Sequence, residues 1–176
     1  NNDEWSLVHA GYNFTIALKA DGSLWGWGVD SFGQMGNNTS GYFWTVPQLL
    51  SRELNWIHIT GGEYYTIGLQ ENGSLWSWGW NNNAQLGRDF GQDRPVPGSI
   101  NGDLNWIQIT AGKSHALAIK EDGSLFGWGN NNQNQISFLA ATQEQEPLRI
   151  HDFELWQTAA AGKDFSMAIT NSINQE

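Results

Sequence analysis

The stretch Trp56-Ile57-His58-Ile59-Thr60-Gly61-Gly62-Glu63-Tyr64-Tyr65-Thr66-Ile67-Gly68-Leu69-Gln70-Glu71-Asn72-Gly73-Ser74-Leu75-Trp76-Ser77-Trp78-Gly79 decides the fold, because the chain repeats it. The same pattern opens at Trp5, Trp106 and Trp156, in steps of 51, 50 and 50 residues. Gly11, Gly62, Gly112 and Gly162 keep that step, and so do Pro47, Pro97 and Pro147. A fixed period of this length signals a propeller, solenoid or array, whose units bury their apolar faces only against one another.

The 176 residues are therefore expected to form a single repeat domain. Its copies run over about 5–55, 56–105 and 106–155, with part of a fourth at 156–176. In that last copy Asn171-Ser172-Ile173 replaces the expected Asp-Gly-Ser, and no aromatic return strand follows.

Working outward from the repeat, Thr15-Ile16-Ala17-Leu18-Lys19 and Leu24-Trp25-Gly26-Trp27 alternate as strands do. Asp21-Gly22 between them signals a hairpin, and Asn72-Gly73 and Asp122-Gly123 recur at the same place. A two-residue turn pairs Leu18 with Trp25, Ala17 with Gly26 and Ile16 with Trp27. That register predicts one bulky face and one nearly bare face for each hairpin. Stacking bulky on bare is a directional contact, which closes into a ring or continues as an open stack. The expected class is all-β, with four-stranded blades of about 50 residues arranged as a partial β-propeller. The half-ring would be completed by self-association or by further chain, since wet end faces are large apolar patches.

The totals narrow the function. The formal net charge is −10, with 18 acidic against 8 basic residues. No Lys/Arg cluster is present to displace counterions from phosphate, so nucleic acid is not an expected partner. No apolar run approaches the length of a membrane span, and membrane insertion is not expected. The chain holds no cysteine, which excludes disulfides and thiolate metal sites. Glycosylation-type triplets begin at Asn13, Asn37, Asn38 and Asn72. They favour an extracellular or cell-surface location, with the cytoplasm as the alternative.

Trp5, Trp25, Trp27, Trp56, Trp76, Trp78, Trp106, Phe126, Trp128 and Trp156 are in phase with the repeat, so they are assigned to the blade core. Asp21, Gly22, Asn72, Gly73, Asp122 and Gly123 are assigned to turns. Tyr42, Phe43 and Trp44 have no aromatic counterpart in the other copies. They fall in a variable stretch read as a rim loop, where aromatic anchors serve binding. Trp80 beside Asn81, Asn82 and Asn83 is a second binding candidate, able to stack on a sugar. His115 occupies the position of Phe14, Tyr65 and Phe165, and reads as a structural ring. No Ser-His-Asp set, phosphate loop or metal-ligand spacing appears, so no catalytic residue, metal or cofactor is expected.

The combined pattern resembles the repeat of the regulator of chromosome condensation family. The resemblance is carried by Ala111-Gly112-Lys113-Ser114-His115-Ala116-Leu117-Ala118-Ile119, Asp122-Gly123-Ser124-Leu125-Phe126-Gly127-Trp128-Gly129 and Asn81-Asn82-Asn83-Ala84-Gln85-Leu86-Gly87. It implies a seven-bladed β-propeller and mostly binding roles: nucleotide exchange on a small GTPase in the founding member, β-lactamase inhibition in some secreted bacterial members.

The expected function is non-enzymatic protein–protein interaction through variable rim loops, with copies of the chain itself as the first partner. The alternatives are a self-assembling structural subunit, as an extracellular fibre or an oligomeric ring, and a carbohydrate-binding module.

Overall fold

The computed structural model describes residues 4–52, 55–151 and 154–170. Within them the chain is all-β. Three four-stranded antiparallel meanders follow one another. The first blade contains β1 (Trp5–Ala10), β2 (Phe14–Lys19), β3 (Leu24–Asp30) and β4 (Tyr42–Ser51). The second contains β5 (Trp56–Gly61), β6 (Tyr65–Gln70), β7 (Leu75–Gly79) and β8 (Arg94–Ser99). The third contains β9 (Trp106–Ala111), β10 (His115–Lys120), β11 (Leu125–Asn130) and β12 (Gln143–Ile150). A two-stranded pair, β13 (Trp156–Ala161) and β14 (Ser166–Thr170), begins a fourth. Asn171, Ser172 and Ile173 lie outside the described residues.

The first strands of successive blades, β1, β5, β9 and β13, are neighbours in space. They line a common axis, and the sheets fan out from it as an open arc of a propeller. Main-chain hydrogen bonds join blades at the axis: Glu63 N–H donates to the Lys113 carbonyl at 3.0 Å, and Lys113 N–H to the Lys163 carbonyl at 3.1 Å.

The hairpins form where the turn residues stand, but their register differs from the sequence expectation by one residue. Leu18 faces Leu24, Ala17 faces Trp25, Ile16 faces Gly26 and Thr15 faces Trp27. The loop holds three residues rather than two. Lys19 N–H donates to the Ser23 carbonyl at 3.0 Å, and Gly22 N–H to the Lys19 carbonyl at 2.9 Å. Gly22 takes φ +80°, the left-handed position of a three-residue hairpin loop. The Asp21 carboxylate accepts both the Ser23 N–H and the Ser23 hydroxyl, which ties down the residue closing the loop. Asn72 with Ser74, and Asp122 with Ser124, repeat the arrangement.

This shift overturns the bulky-and-bare picture. Each tryptophan now faces a small residue while leucine faces leucine at the hairpin end, so neither face is bare. One face of a blade is aromatic: Trp76 sits opposite Gly68, and Trp78 opposite Thr66. The other is aliphatic: Leu69 faces Leu75, with Ile67 opposite Ser77. The small residues make room for ring packing. A Cβ at Gly68 would stand 2.5 Å from the Trp56 ring.

Blades stack aliphatic face on aromatic face, always in the same direction. Ile16, Leu18 and Leu24 of the first blade pack with Trp56, Ile59 and Trp78 of the second. Ile67, Leu69 and Leu75 of the second pack with Trp106, Ile109 and Trp128 of the third. Leu117, Ile119 and Leu125 of the third pack with Trp156 and Ala159 of the fourth. Each fully buried residue of this size contributes about 1.5–3 kcal/mol, so the stability of the arc resides in these junctions.

Candidate functional site

One rim of the arc carries the β1–β2 type connections and the long β3–β4 type connections. The latter are organised from within. In the second blade the buried Asn81 amide donates to the carbonyls of Arg88 and Asp89, both at 2.8 Å, and its oxygen accepts the Leu86 N–H. Asn131 does the same in the third blade, towards Ser137, Ala141 and Ile136. In the first blade this position is Asp30, whose carboxylate accepts the Met35 N–H and the Thr39 hydroxyl. Burial pushes the Asp30 carboxyl above its ordinary range, against the pull of these two hydrogen bonds.

On this frame, between the first and second blades, four aromatic rings touch. Phe32 lies 5.0 Å from Tyr64 and 5.8 Å from Trp80, centroid to centroid. Tyr64 stands edge-on to Trp80 at 6.1 Å and to Tyr12 at 5.9 Å. Tyr12 is exposed, and the other three are half-buried. Tyr12 also lines a cleft of about 520 Å³ along the axis, walled by Gly62, Glu63, Gly112, Lys113, Gly162 and neighbouring residues. Glu63 and Lys113 pair across it at 3.5 Å.

The positions equivalent to these rings are polar in the later junctions. Tyr12 corresponds to Glu63 and Lys113, Phe32 to Asn83 and Gln133, Tyr64 to Ser114 and Asp164, and Trp80 to Asn130. The junctions share one geometry, so the fold does not require aromatics here. Between the third and fourth blades the same rim presents Asn130, Asn132, Gln133, Gln135 and Asp164 around a cleft of about 500 Å³.

Trp80 thus stands in a cluster, although Tyr12, Phe32 and Tyr64 were not singled out from the sequence. A column-by-column comparison of the copies carries the missing signal, since Tyr12, Phe32 and Tyr64 are each aromatic where their equivalents are polar. Tyr42, Phe43 and Trp44 are not in a loop. They open β4, the outermost strand of the first blade, where Trp44 faces Gly28, Phe43 faces Val29 and Tyr42 faces Asp30. Tyr42 stacks on Trp44 at 5.8 Å, and Trp44 packs against the junction with the second blade. The uncharged, β-prone run is extended backbone, and only its position at the blade edge leaves Tyr42 and Phe43 exposed. These residues do not meet Trp80 or its partners in any ring contact among the described residues.

Of the in-phase aromatics, Trp56, Trp78, Trp106 and Trp128 are buried, and Trp25, Trp27, Trp76, Phe126 and Trp156 are half-buried. Trp5 is exposed, because no blade precedes it in the described structure. His115 is buried, with its Nε2 3.0 Å from the Ser166 hydroxyl in the next blade. Burial drives its pKa down to about 4, opposed by the Asp164 charge. Tyr65 in the same position donates to the His115 carbonyl at 2.5 Å, and burial pushes its phenol far up. Among the described residues no three His, Asp or Glu side chains converge as metal ligands, and no helix is long and apolar enough to cross a membrane.

The repeat profile described as regulator of chromosome condensation (RCC1) repeat matches residues 21–69, 72–119 and 122–169. The RCC1 domain-containing protein RUG3, mitochondrial, of Arabidopsis thaliana is 33% identical over 93 residues, covering 51% of this chain and 20% of that protein. Among solved structures, human WBSCR16 superposes with a TM-score of 0.84 at 23% identity, over 96% of this chain and 45% of that one. Prp20p of Saccharomyces cerevisiae superposes with a TM-score of 0.85 at 23% identity, over 97% and 44%. The chain therefore spans about a fifth of that curated relative and under half of these structures. The matched segments run from the turn of one blade to the second strand of the next, through every junction described above. On that correspondence of repeat, blade and junction, the chain belongs to the regulator of chromosome condensation (RCC1) repeat family.

Proposed function

We propose that this chain is a non-enzymatic protein-interaction module, with proteins as its partners, copies of itself among them, and its rim as one contact surface. The observation that carries this reading is the Tyr12–Tyr64–Phe32–Trp80 cluster. It stands only where the first and second blades meet, at positions that are polar in the later junctions. Aromatic residues half-exposed on a rigid scaffold are the side chains that dominate protein interfaces. Prp20p, similar to this chain in fold, is described by its binding to Gsp1p and histones, so a blade array of this kind is compatible with such a role.

The test uses the purified chain and its Phe32→Ala and Trp80→Ala variants as bait, with far-UV circular dichroism to confirm folding. Specific proteins retained by the parent and lost by both variants support the reading. Retention unchanged in both variants removes the rim from it. Binding to a glycan array that is lost in Trp80→Ala, with no protein retained, replaces it by carbohydrate recognition through the rings and the neighbouring amides.

A further inference from the structure

We propose that a groove between the first and second blades binds an organic ammonium cation, seated against Trp56 and Trp76. The groove lies at the end of the blades where the β6–β7 hairpin turns, away from the rim cluster. The two sites are therefore tested by different substitutions, and either can fail without the other.

One position differs among the three blades. Each blade sets an aromatic ring of its first strand edge-on to one of its third: Trp5 with Trp25 at 6.0 Å, Trp56 with Trp76 at 6.3 Å, and Trp106 with Phe126 at 5.0 Å. In the first and third blades the second strand ends in a lysine that lies over both rings. Lys19 Nζ is 4.6 Å from the Trp25 centroid and 5.4 Å from that of Trp5. Lys120 Nζ is 4.7 Å from the Trp106 centroid and 5.0 Å from that of Phe126. At such distances the negative face of a ring attracts a cation. The equivalent residue of the second blade is Gln70. It carries no charge, and its side-chain oxygen accepts the Ser74 hydroxyl at 3.0 Å. No lysine or arginine among the described residues covers Trp56 or Trp76.

The class of ligand follows from what the second blade lacks. It keeps the ring pair, drops the cation, and leaves an open groove of about 520 Å³ at that place. This is within the range of small-ligand sites. Leu50 of the first blade and Asn55, Trp56, Gln70, Trp76 and Pro97 of the second line it, so both walls are in place. The rings offer a π face and the Leu50 and Pro97 side chains an apolar wall, which together suit an ammonium on an alkyl stem. The net charge of −10 favours the approach of a cation. That chemistry is shared by the side chain of a lysine in a partner protein and by a free quaternary ammonium such as choline.

The experiment titrates the folded chain and follows the indole N–H signals of Trp56 and Trp76 by NMR. The cationic probes are Nα-acetyl-lysine amide, its Nε-trimethyl form and choline. Their uncharged counterparts are Nα-acetyl-norleucine amide and 3,3-dimethylbutan-1-ol. At least one cationic probe is expected to shift both signals, and its uncharged counterpart to bind about tenfold more weakly or not at all. Gln70→Lys places the tethered cation of the neighbouring blades over the rings. It is expected to keep the circular dichroism of the parent and to weaken the probe by about tenfold or more. Shifts given by the lysine derivatives alone assign the ammonium to a partner protein, and shifts given by choline alone assign it to a free small molecule. The proposal is overturned if no cationic probe moves these signals at its highest soluble concentration. Equal binding of the uncharged counterparts overturns it too, as does a folded Gln70→Lys that binds like the parent. If Gln70→Lys fails to fold, Gln70→Arg replaces it with the same readings.

Discussion

The indole N–H of Trp78 in the second blade donates to the main-chain carbonyl of Gln34 in the first, 2.9 Å away. Trp128 of the third blade reaches Gln85 of the second in the same way, at 3.0 Å. Each tryptophan therefore locks a junction twice, by filling it and by satisfying the turn of a loop in the neighbouring blade. The Gln34 carbonyl also accepts the Thr66 hydroxyl at 2.8 Å, whereas Ala116 occupies that place beside Gln85. Trp128→Phe is thus expected to cost about 2–3 kcal/mol, and Trp78→Phe about 1 kcal/mol less, because one donor remains. Urea unfolding of both variants measures the difference, and equal costs would show that the hydrogen bond adds nothing to the packing.

Asp30 is a buried carboxylate where the other blades hold an amide. Its protonated form is the one the fold prefers, so its contribution is full at acid pH. That contribution is lost as pH rises through the raised pKa of the folded state. Asp30→Asn supplies the amide that Asn81 and Asn131 use. It is expected to raise stability at pH 7 by about 1 kcal/mol, and by less at acid pH. Melting temperatures of parent and variant at both pH values check this; a variant less stable than the parent at pH 7 refutes it.

His115 carries the opposite sign. Its pKa falls from the ordinary 6.5 to about 4 on folding, so the unfolded chain takes up the proton first. The stability held by neutral His115 is full above pH 6.5 and drains as pH falls towards 4. The span is worth up to roughly 3 kcal/mol. His115→Phe places the residue found at Phe14 and Phe165. It is expected to flatten the stability profile between pH 7 and pH 4, read by denaturant titrations across that window.

At the axis, Gly62 meets the next blade with no space to spare. A Cβ there would stand 2.3 Å from the Gly112 carbonyl oxygen and 2.8 Å from that of Lys113. The Lys113 carbonyl is held by the Glu63 N–H and the Gly112 carbonyl by the Tyr65 hydroxyl. Gly62→Ala is expected to destabilise the protein by about 2–4 kcal/mol. Gly91→Ala, with open space around the added carbon but φ +76°, should cost only about 1–2 kcal/mol. Thermal unfolding ranks the two.

The rim cluster predicts a contrast with the core. Trp80→Ala removes a half-buried ring outside the junction core and should cost about 1 kcal/mol or less, whereas Trp78→Ala should cost about 3–5 kcal/mol. If the two cost the same, the cluster is packing and the binding role assigned to it falls.

Much of this architecture was legible in the chain. The step between Trp5, Trp56, Trp106 and Trp156, and the turn residues after Lys19, Gln70 and Lys120, identify blades and hairpins without any coordinates. They do so because repeat period and turn chemistry are local properties. The register is not legible in the sequence, because Asp21-Gly22 is compatible with two loop lengths. The bonds that Ser23 donates to Asp21, and Ser124 to Asp122, belong to the three-residue form, and they hold the Asp21 and Asp122 carboxyls below their ordinary range. One residue of slip moves every side chain to the other face of its strand.

The candidate sites show the same division. Trp80 stood out as an aromatic out of phase, but the other rings of its cluster lie 16, 48 and 68 positions away along the chain: Tyr64 from the same blade, Phe32 and Tyr12 from across the junction. Tyr42, Phe43 and Trp44 stood out as unmatched, yet whether such a run becomes loop or strand depends on the β3 edge it pairs with. Sequence alone determined that this protein is a series of like sheets, because periodicity survives without contacts. The tertiary structure decided which face of each sheet is aromatic and which residues from distant copies share a surface. Those follow from pairing register and blade stacking, which are set by contacts between residues far apart in the chain.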